Sequence, residues 1–87
     1  MSTSQFKLLY FASASSYTQK SLETFKAPCT AAKLFAELEE KYPGIKDRIL
    51  SSCMLTINLD YAELDAPEDV VINAGDEVAI IPPVSSG

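Results

Sequence analysis

One amphipathic segment near the middle of the chain constrains the fold more than any other feature. Apolar side chains recur there at steps of three and four residues, which places them on one stripe of a helix. They are Ala31, Leu34, Phe35, Leu38 and Tyr42. Thr30 precedes them as a candidate N-cap hydroxyl, and Pro43 and Gly44 follow them as residues that end helices. The chain therefore needs a second layer that covers this stripe.

Short apolar runs on both sides of the helix predict the strands of that second layer. Residues 6–12 suit a buried central strand, and residues 21–26 alternate polar and apolar side chains like a half-buried one. We expect a hairpin between them, joined by a surface loop at 13–16. Further strands are predicted at 54–59 and at Glu77–Ile81. The minor expectations are a helical turn within 45–52, a turn at 58–61, a short edge strand at Glu63 and Leu64, a loop at 65–69 and a brief apolar segment at 70–72.

The order of these elements predicts an α+β fold, in which one main helix covers one face of a mixed sheet of four to five strands. With 87 residues the chain has room for one small core and not for two domains with a cleft between them. Its apolar share of 47% is too high for a disordered segment. We expect one domain over residues 1–81 and an extended tail over 82–87, because Pro82 and Pro83 favour a polyproline-like path.

Charge is divided unevenly along the sequence. Residues 1–48 hold all seven basic residues and five acidic ones, whereas residues 49–87 hold seven acidic residues and no basic one. The net charge of −5 argues against a nucleic-acid partner, because such binders need clustered Lys and Arg. The acidic residues of 49–87 either favour binding to basic partners or form a solvated surface that keeps the protein soluble.

Targeting and membrane signals are missing from the sequence pattern. The first five residues carry no positive charge, and the longest uninterrupted apolar run, residues 8–12, is far shorter than the ~20 residues that span a bilayer. We therefore expect a cytoplasmic protein without a membrane partner.

The residues available for catalysis are few. The chain has no histidine, and Cys29 and Cys53 stand alone, so a zinc site and a Cys-His pair both lack their groups. No Gly-rich phosphate loop is present either. We expect two free, partly buried thiols, no metal and no bound cofactor, in a chain that is not an enzyme by itself.

Four stretches of the sequence resemble the small subunit of molybdopterin synthase. They are residues 6–12, the Thr-capped helix that ends in Tyr-Pro-Gly at 30–44, Ile57-Asn58, and the run Gly-Asp-Glu-Val-Ala-Ile-Ile-Pro-Pro-Val at 75–84. The last stretch is the most specific, and the similarity covers nearly the whole chain. This resemblance implies a ubiquitin-like β-grasp fold and a sulfur carrier.

The resemblance also implies a chemistry for Gly87 at the carboxyl end of the sequence. In that family an E1-like activating enzyme uses ATP to adenylate the terminal glycine, which is then converted to a thiocarboxylate that donates sulfur. The large synthase subunit supplies the pocket in which two sulfurs are placed on cyclic pyranopterin monophosphate, giving molybdopterin. Two large and two small subunits would form a heterotetramer, with this chain as its sulfur-donating subunit.

Partner contacts are expected next to Gly87 and along the last strand. The candidates are Ile80, Ile81, Pro82, Pro83, Val84, Ser85 and Ser86, with Phe11 and Tyr61 as weaker ones. Ordinary core packing explains Ile80, Ile81, Phe11 and Tyr61 equally well. The family usually ends in Gly-Gly, so Ser86 is either tolerated by the partner or marks an altered version. The retained Gly87 favours tolerance.

Other functions fit parts of the same pattern. β-Grasp sulfur carriers for thiamine synthesis or tRNA thiolation share the terminal glycine but generally lack the Pro-Pro pair. A ubiquitin-like modifier would be attached to lysines, and a plain interaction domain would have an inert tail. Removal of Gly87 distinguishes a plain interaction domain from a sulfur carrier, because only the carrier needs that residue.

Overall fold

A five-stranded mixed sheet with one main helix packed on one face forms the molecule. The computed structural model describes residues 4–83. The sheet contains β1 (Gln5–Tyr10), β2 (Leu22–Lys26), β4 (Met54–Ile57), β5 (Asp60–Ala62) and β7 (Glu77–Ile81), in the order β2-β1-β7-β4-β5. The β1–β7 pair is parallel and the other pairs are antiparallel. The predicted α+β class, with one helix on a mixed sheet, is confirmed.

Shorter elements complete the fold around this sheet. They are a two-stranded sheet of β3 (Cys29–Thr30) and β6 (Val71–Ile72), the helices α1 (Ser13–Thr18) and α2 (Ala31–Lys41), a π-helical turn at Lys46–Leu50 and a 3-10 turn at Pro67–Asp69. No helix in residues 4–83 has the length and hydropathy needed to cross a membrane.

Helix α2 begins and ends where the sequence predicts. The Thr30 hydroxyl accepts a hydrogen bond from the Lys33 amide at 3.2 Å, which satisfies one of the free donors of the first turn. Gly44 follows the helix with a φ of +93°, a conformation that L side chains rarely adopt. The Glu39 carboxylate then accepts hydrogen bonds from the amides of Gly44 and Lys46, at 2.9 and 3.0 Å. These contacts fix the direction in which the chain leaves the helix.

The core lies between α2 and one face of the sheet. In β1 the residues Phe6, Leu8 and Tyr10 are buried and alternate with less buried ones, as expected when one face of a sheet is covered. Val78 and Ile80 continue this layer on β7, and helix α2 covers it with its buried apolar stripe. Strand β1 is central, as predicted, but only one of its two faces is covered.

The predicted loop at 13–16 is wrong, because Ser13–Thr18 forms helix α1. Serines have low helix propensity and favour caps and turns, so packing decides here. Ala14 is buried, the Thr18 hydroxyl donates to the Ala14 carbonyl at 3.0 Å, and the Tyr17 hydroxyl donates to the Pro43 carbonyl at 2.6 Å. The β1–β2 hairpin itself is confirmed.

The predicted edge strand at Glu63 and Leu64 is also wrong, because the edge strand is Asp60–Ala62. Asn58 and Leu59 both have positive φ, +53° and +74°, and join β4 to β5 with Ile57 opposite Asp60. Such a two-residue turn is usually Asn-Gly. The sequence lacks the glycine that signals it, so the prediction placed a longer turn there.

Candidate functional site

The last strand leads directly to the segment expected to carry the chemistry. Strand β7 lies in the middle of the sheet, between β1 and β4, and ends at Ile81. Pro82 is buried and Pro83 is exposed. The Phe11 amide donates to the Ile80 carbonyl at 3.3 Å, which ties the end of β1 to this point. Val84, Ser85, Ser86 and Gly87 lie outside the described residues, so the extended tail stays a prediction.

The side of the sheet that faces away from α2 carries apolar side chains, and we call it the open face. Paired residues of neighbouring strands point to the same side, so the strand register defines its members. They are Gln5, Lys7, Leu9, Leu22, Thr24, Lys26, Met54, Thr56, Tyr61, Glu77, Ala79 and Ile81. Its central row crosses all five strands in the order Leu22, Leu9, Ala79, Thr56 and Tyr61.

Several of these side chains are large, apolar and in contact with water. The exposed fractions are 45% for Leu22, 56% for Met54 and 73% for Tyr61. The small residues Ala79 and Thr56 lie between them and are nearly covered. Isolated exposed apolar residues need no explanation, but a contiguous set marks an interaction surface. This set borders the strand end from which the chain continues toward Gly87.

Comparison with known sequences places the chain in a family. A family model described as the ThiS family matches residues 8–87. The molybdopterin synthase sulfur carrier subunit of Pyrenophora tritici-repentis is 53% identical over 83 residues, which cover 94% of this chain and 89% of the relative. The chain belongs to the ThiS family, among the molybdopterin synthase sulfur carrier subunits.

Other members of the family span fungi and animals. The corresponding subunit of Aspergillus niger is 51% identical, with all of both chains covered. The human one is 34% identical over 95% of this chain and 94% of the relative. The resemblance found in the sequence is therefore confirmed.

Solved structures share the fold of this ThiS-family chain. The small archaeal modifier protein 1 of Methanosarcina acetivorans superposes with a TM-score of 0.77 at 20% identity, over 100% of both chains. A chain of the protein-protein complex of subunits 1 and 2 of molybdopterin-converting factor from Helicobacter pylori gives 0.67 at 23% identity, over 95% of this chain and 99% of that chain. These likenesses confirm the β-grasp fold.

The structure separates the predicted contact residues of this family member into two groups. Ile80 is fully buried and packs in the core. Ile81 points to the open face and is half-buried. Phe11 is 46% exposed and Tyr61 is among the most exposed apolar side chains. Phe11, Ile81 and Tyr61 thus have the surface that a partner contact requires, and their role stays a prediction.

Sequence reasoning missed three residues of the open face, Leu9, Leu22 and Met54. The alternation in 21–26 marks Leu22 and Thr24 as one side of a strand, but alternation does not tell which side is buried. That assignment depends on which face of the sheet helix α2 covers. Leu9 lies within a continuous apolar run, so no periodic signal distinguishes it from Leu8.

The two cysteines of the chain are poorly suited to sulfur chemistry. Both thiols are free and partly buried, as predicted. Burial raises the pKa of Cys53 to about 11, and burial is also the main cause of the raised pKa of Cys29. Because the thiolate is the reactive form, neither side chain is an activated nucleophile.

A polar cluster around Glu23 lies on the helix side of the sheet. Its carboxylate accepts hydrogen bonds from the hydroxyls of Tyr10 and Tyr42, at 2.8 and 3.0 Å, and from the ammonium groups of Lys20 and Lys41. Burial would raise the pKa of Glu23, but the hydrogen bonds from Lys41, Tyr10 and Tyr42 outweigh it and lower the pKa to about 2. The cluster joins β1, β2 and the end of α2, which is a structural role.

A polar groove of about 520 Å³ lies at the end of the sheet opposite Ile81. Hydrogen bonds among its neighbours hold two turns together. Asn58 donates to the Asp76 carboxylate at 3.1 Å, the other oxygen of Asp76 accepts from the Asn73 amide at 2.8 Å, and the Glu77 amide donates to the Asn58 side chain at 3.0 Å. The Asn58 and Asp76 side chains are thus both engaged, and they hold the β4–β5 turn against the turn that precedes β7.

Proposed function

We propose that this sulfur carrier subunit bears its sulfur on Gly87 as a thiocarboxylate. An E1-like activating enzyme first joins the Gly87 carboxylate to AMP from ATP and releases pyrophosphate. Sulfide (HS⁻) from a sulfur donor then attacks the acyl carbon and displaces AMP, which leaves the thiocarboxylate C(O)S⁻ on Gly87 and releases a proton. A free carboxylate is a poor acyl donor and an acyl-adenylate is a good one, so activation must precede sulfur transfer. ATP is bound by the activating enzyme, and this chain needs no metal or cofactor of its own.

The partner that we propose for the open face is the large subunit of molybdopterin synthase. The observation that carries this proposal is the set of exposed apolar side chains on the open face of a chain of this family: Met54 lies beside the strand end at Ile81, and Tyr61 and Leu22 lie further along the face. Aromatic side chains such as Tyr61 are typical anchors of protein interfaces. With the open face docked, the segment 82–87 would extend from the middle of the sheet into the partner's pocket. That a complex of subunits 1 and 2 of the molybdopterin-converting factor from Helicobacter pylori exists supports the choice of a large-subunit partner.

The reaction that follows from this arrangement transfers sulfur to cyclic pyranopterin monophosphate. Each thiocarboxylate supplies one sulfur, so two charged copies of this chain serve one dithiolene of molybdopterin. A heterotetramer of two large and two small subunits places one such chain at each large subunit. The small side chains of Ser85, Ser86 and Gly87 suit a narrow channel, and we propose that Ser86 is tolerated there. The site of action that we propose is the cytoplasm.

Intact mass spectrometry tests the chemistry directly. The chain is incubated with an E1-like activating enzyme, ATP and a sulfide donor. We expect a mass gain that matches the replacement of one oxygen by sulfur, and no gain in a variant that lacks Gly87. A Ser86→Gly variant is the matched control for the unusual penultimate residue. Absence of the gain in both full-length forms, with an activating enzyme proven on another carrier, would contradict the proposal.

The acceptor is tested in a second step. The charged chain is mixed with the large subunit and cyclic pyranopterin monophosphate, and molybdopterin is measured. The structural likeness to small archaeal modifier proteins shows the fold and not the function. Three other functions therefore compete with this proposal: a sulfur carrier for tRNA thiolation, a sulfur carrier for thiamine synthesis, and a modifier attached to lysines. Sulfur loss to tRNA, or adducts on lysines, without molybdopterin formation would select one of those alternatives.

A further inference from the structure

Met54 lies on the open face beside the strand end from which the chain continues toward Gly87. It is the first residue of β4 and pairs with Ile81, the last residue of β7. Directly opposed residues of neighbouring strands have their Cβ atoms about 5 Å apart on the same face. The Met54 side chain is 56% exposed. A partner that covers the open face and receives residues 82–87 therefore covers Met54 as well.

Met54 is also the sulfur-containing side chain best placed to meet a dissolved oxidant. Within residues 4–83 the other sulfur atoms are those of Cys29 and Cys53. Both cysteines are half-buried and have raised pKa values, so little of either is the thiolate that reacts with peroxides. A thioether has no proton to lose before it reacts, so its exposure decides. Of these three side chains, Met54 alone is classed as exposed.

We propose that Met54 is a reversible oxidation site, and that its sulfoxide weakens the docking of the large subunit on the open face. The effect on docking rests on the proposed function. The oxidant is a hydroperoxide. The thioether sulfur attacks one peroxide oxygen, an S–O bond forms and the O–O bond breaks. Sulfur loses two electrons, and the peroxide gains them and leaves as water or as an alcohol, with the peroxide's own proton on the leaving oxygen.

The reverse step is supplied by methionine sulfoxide reductases. The sulfoxide oxygen leaves as water, and the two electrons come from two thiols, which become a disulfide. A carrier oxidised at Met54 is therefore not lost, and reduction returns the original thioether.

The effect on docking follows from the change in polarity. A methionine side chain is apolar and flexible, so it adapts to the surface of a partner, whereas its sulfoxide is polar. Burial of a polar oxygen without a donor costs enough to weaken binding about tenfold or more. The isolated chain leaves more than half of Met54 in water, so the sulfoxide oxygen stays hydrated there. The fold should survive an oxidation that the interface does not tolerate.

Peroxide treatment of the uncharged full chain tests both parts. The peroxide is removed with catalase, and a thiol reductant then reverses mild oxidation of the cysteines. Trypsin cleaves no later than Arg48, so residues 49–87 form one peptide, and its fragmentation should place one added oxygen on Met54. Calorimetry with the large subunit should show at least about tenfold weaker binding. Methionine sulfoxide reductase with a thiol should restore the affinity.

Two variants separate oxidation of Met54 from other damage. Met54→Leu keeps an apolar side chain but has no sulfur to oxidise, so its affinity before and after peroxide should be the same. Met54→Gln carries a permanent polar group, and without peroxide it should bind more weakly than Met54→Leu. Thermal unfolding followed by circular dichroism should show that the oxidised chain is still folded.

Protection by the partner locates the contact. With the large subunit in saturating excess, oxidation of Met54 should slow by at least about fivefold, because a docked partner excludes solvent. The same peptide fragmentation measures this rate, so the result does not depend on sulfur transfer from Gly87.

Several results would overturn the inference. They are a Met54 that stays unmodified while the cysteines are oxidised, an oxidised chain that binds with unchanged affinity, an oxidised chain that has unfolded, and an equal loss of binding in peroxide-treated Met54→Leu. An untreated chain that fails to bind the large subunit would contradict the proposed function, and the effect on docking with it. Normal binding before peroxide and unchanged binding after complete oxidation would contradict the present inference alone.

Discussion

The two faces of the central sheet are built from the same strands but serve different purposes. On the helix side, Leu8, Val78 and Ile80 have no exposed surface. On the other side, Leu22 and Tyr61 remain in contact with water although they are as apolar as many core residues. A fold of this size gains little from side chains that stay exposed. The comparison teaches that stability is located on one face and that the apolar residues of the other face are available for binding.

The largest expected difference between the faces is in the cost of removing a leucine. Leu8→Ala should lower the free energy of unfolding by about 3 kcal/mol, because it removes a fully buried side chain and leaves a cavity. Leu22→Ala, at an exposed position of the paired strand, should lower it by less than about 1 kcal/mol. Urea unfolding measures both. Equal losses would mean that the open face is covered in the isolated chain.

The Glu23 cluster provides the polar counterpart of this test. Glu23→Gln removes the charge that two tyrosines and two lysines share, and we expect a loss of about 2 kcal/mol in the free energy of unfolding. Glu40→Gln, at an exposed position of α2, is the control and should change it by less than about 0.5 kcal/mol. Similar values for the two variants would show that the cluster does not stabilise the contact between sheet and helix.

The pH dependence of the same cluster has a defined sign. The pKa of Glu23 is lowered in the folded chain from 4.5 to about 2, so the folded state holds its proton less tightly than the unfolded state. Its contribution to stability is complete above about pH 4.5 and is lost as the pH falls toward 2. The stability difference between wild type and Glu23→Gln should therefore shrink over that window in urea unfolding experiments. A difference that stays constant down to pH 2 would exclude this linkage.

Local chemistry explains which elements were predictable. Thr30, Pro43 and Gly44 act within one helical turn of themselves, so the bounds of α2 could be read from the sequence. Helix α1 could not, because it depends on the contact of Tyr17 with Pro43, 26 residues away. Ile80 and Ile81 illustrate the same limit on the candidate site. Neighbouring strand residues point to opposite faces. The pairing of β7 with β1 and β4 determines which residues share a face, and the packing of α2 determines which face is buried.

The turn between β4 and β5 is expected to respond in the opposite direction from the core. Leu59 is 87% exposed and has a φ of +74°, a conformation that glycine adopts without strain. Leu59→Gly should raise the free energy of unfolding by up to about 1 kcal/mol. Asn58→Gly is the control and should lower it, because the Asn58 side chain bonds to Asp76 and Glu77. A loss on Leu59→Gly would show that this leucine packs against the fold.

The smallest effect on stability is expected at Tyr61, where the effect on binding should be large. Tyr61 is 73% exposed on the open face, so Tyr61→Ser removes little buried surface and should change the free energy of unfolding by less than about 0.5 kcal/mol. As an aromatic anchor of the proposed interface, its loss should weaken large-subunit binding by at least about tenfold, measured by calorimetry. Thr24→Ser on the same face is the control with little apolar surface to lose. If Tyr61→Ser binds the large subunit with unchanged affinity, the open face is not the main contact. The large subunit would then bind the helix side of the molecule or the segment after Ile81.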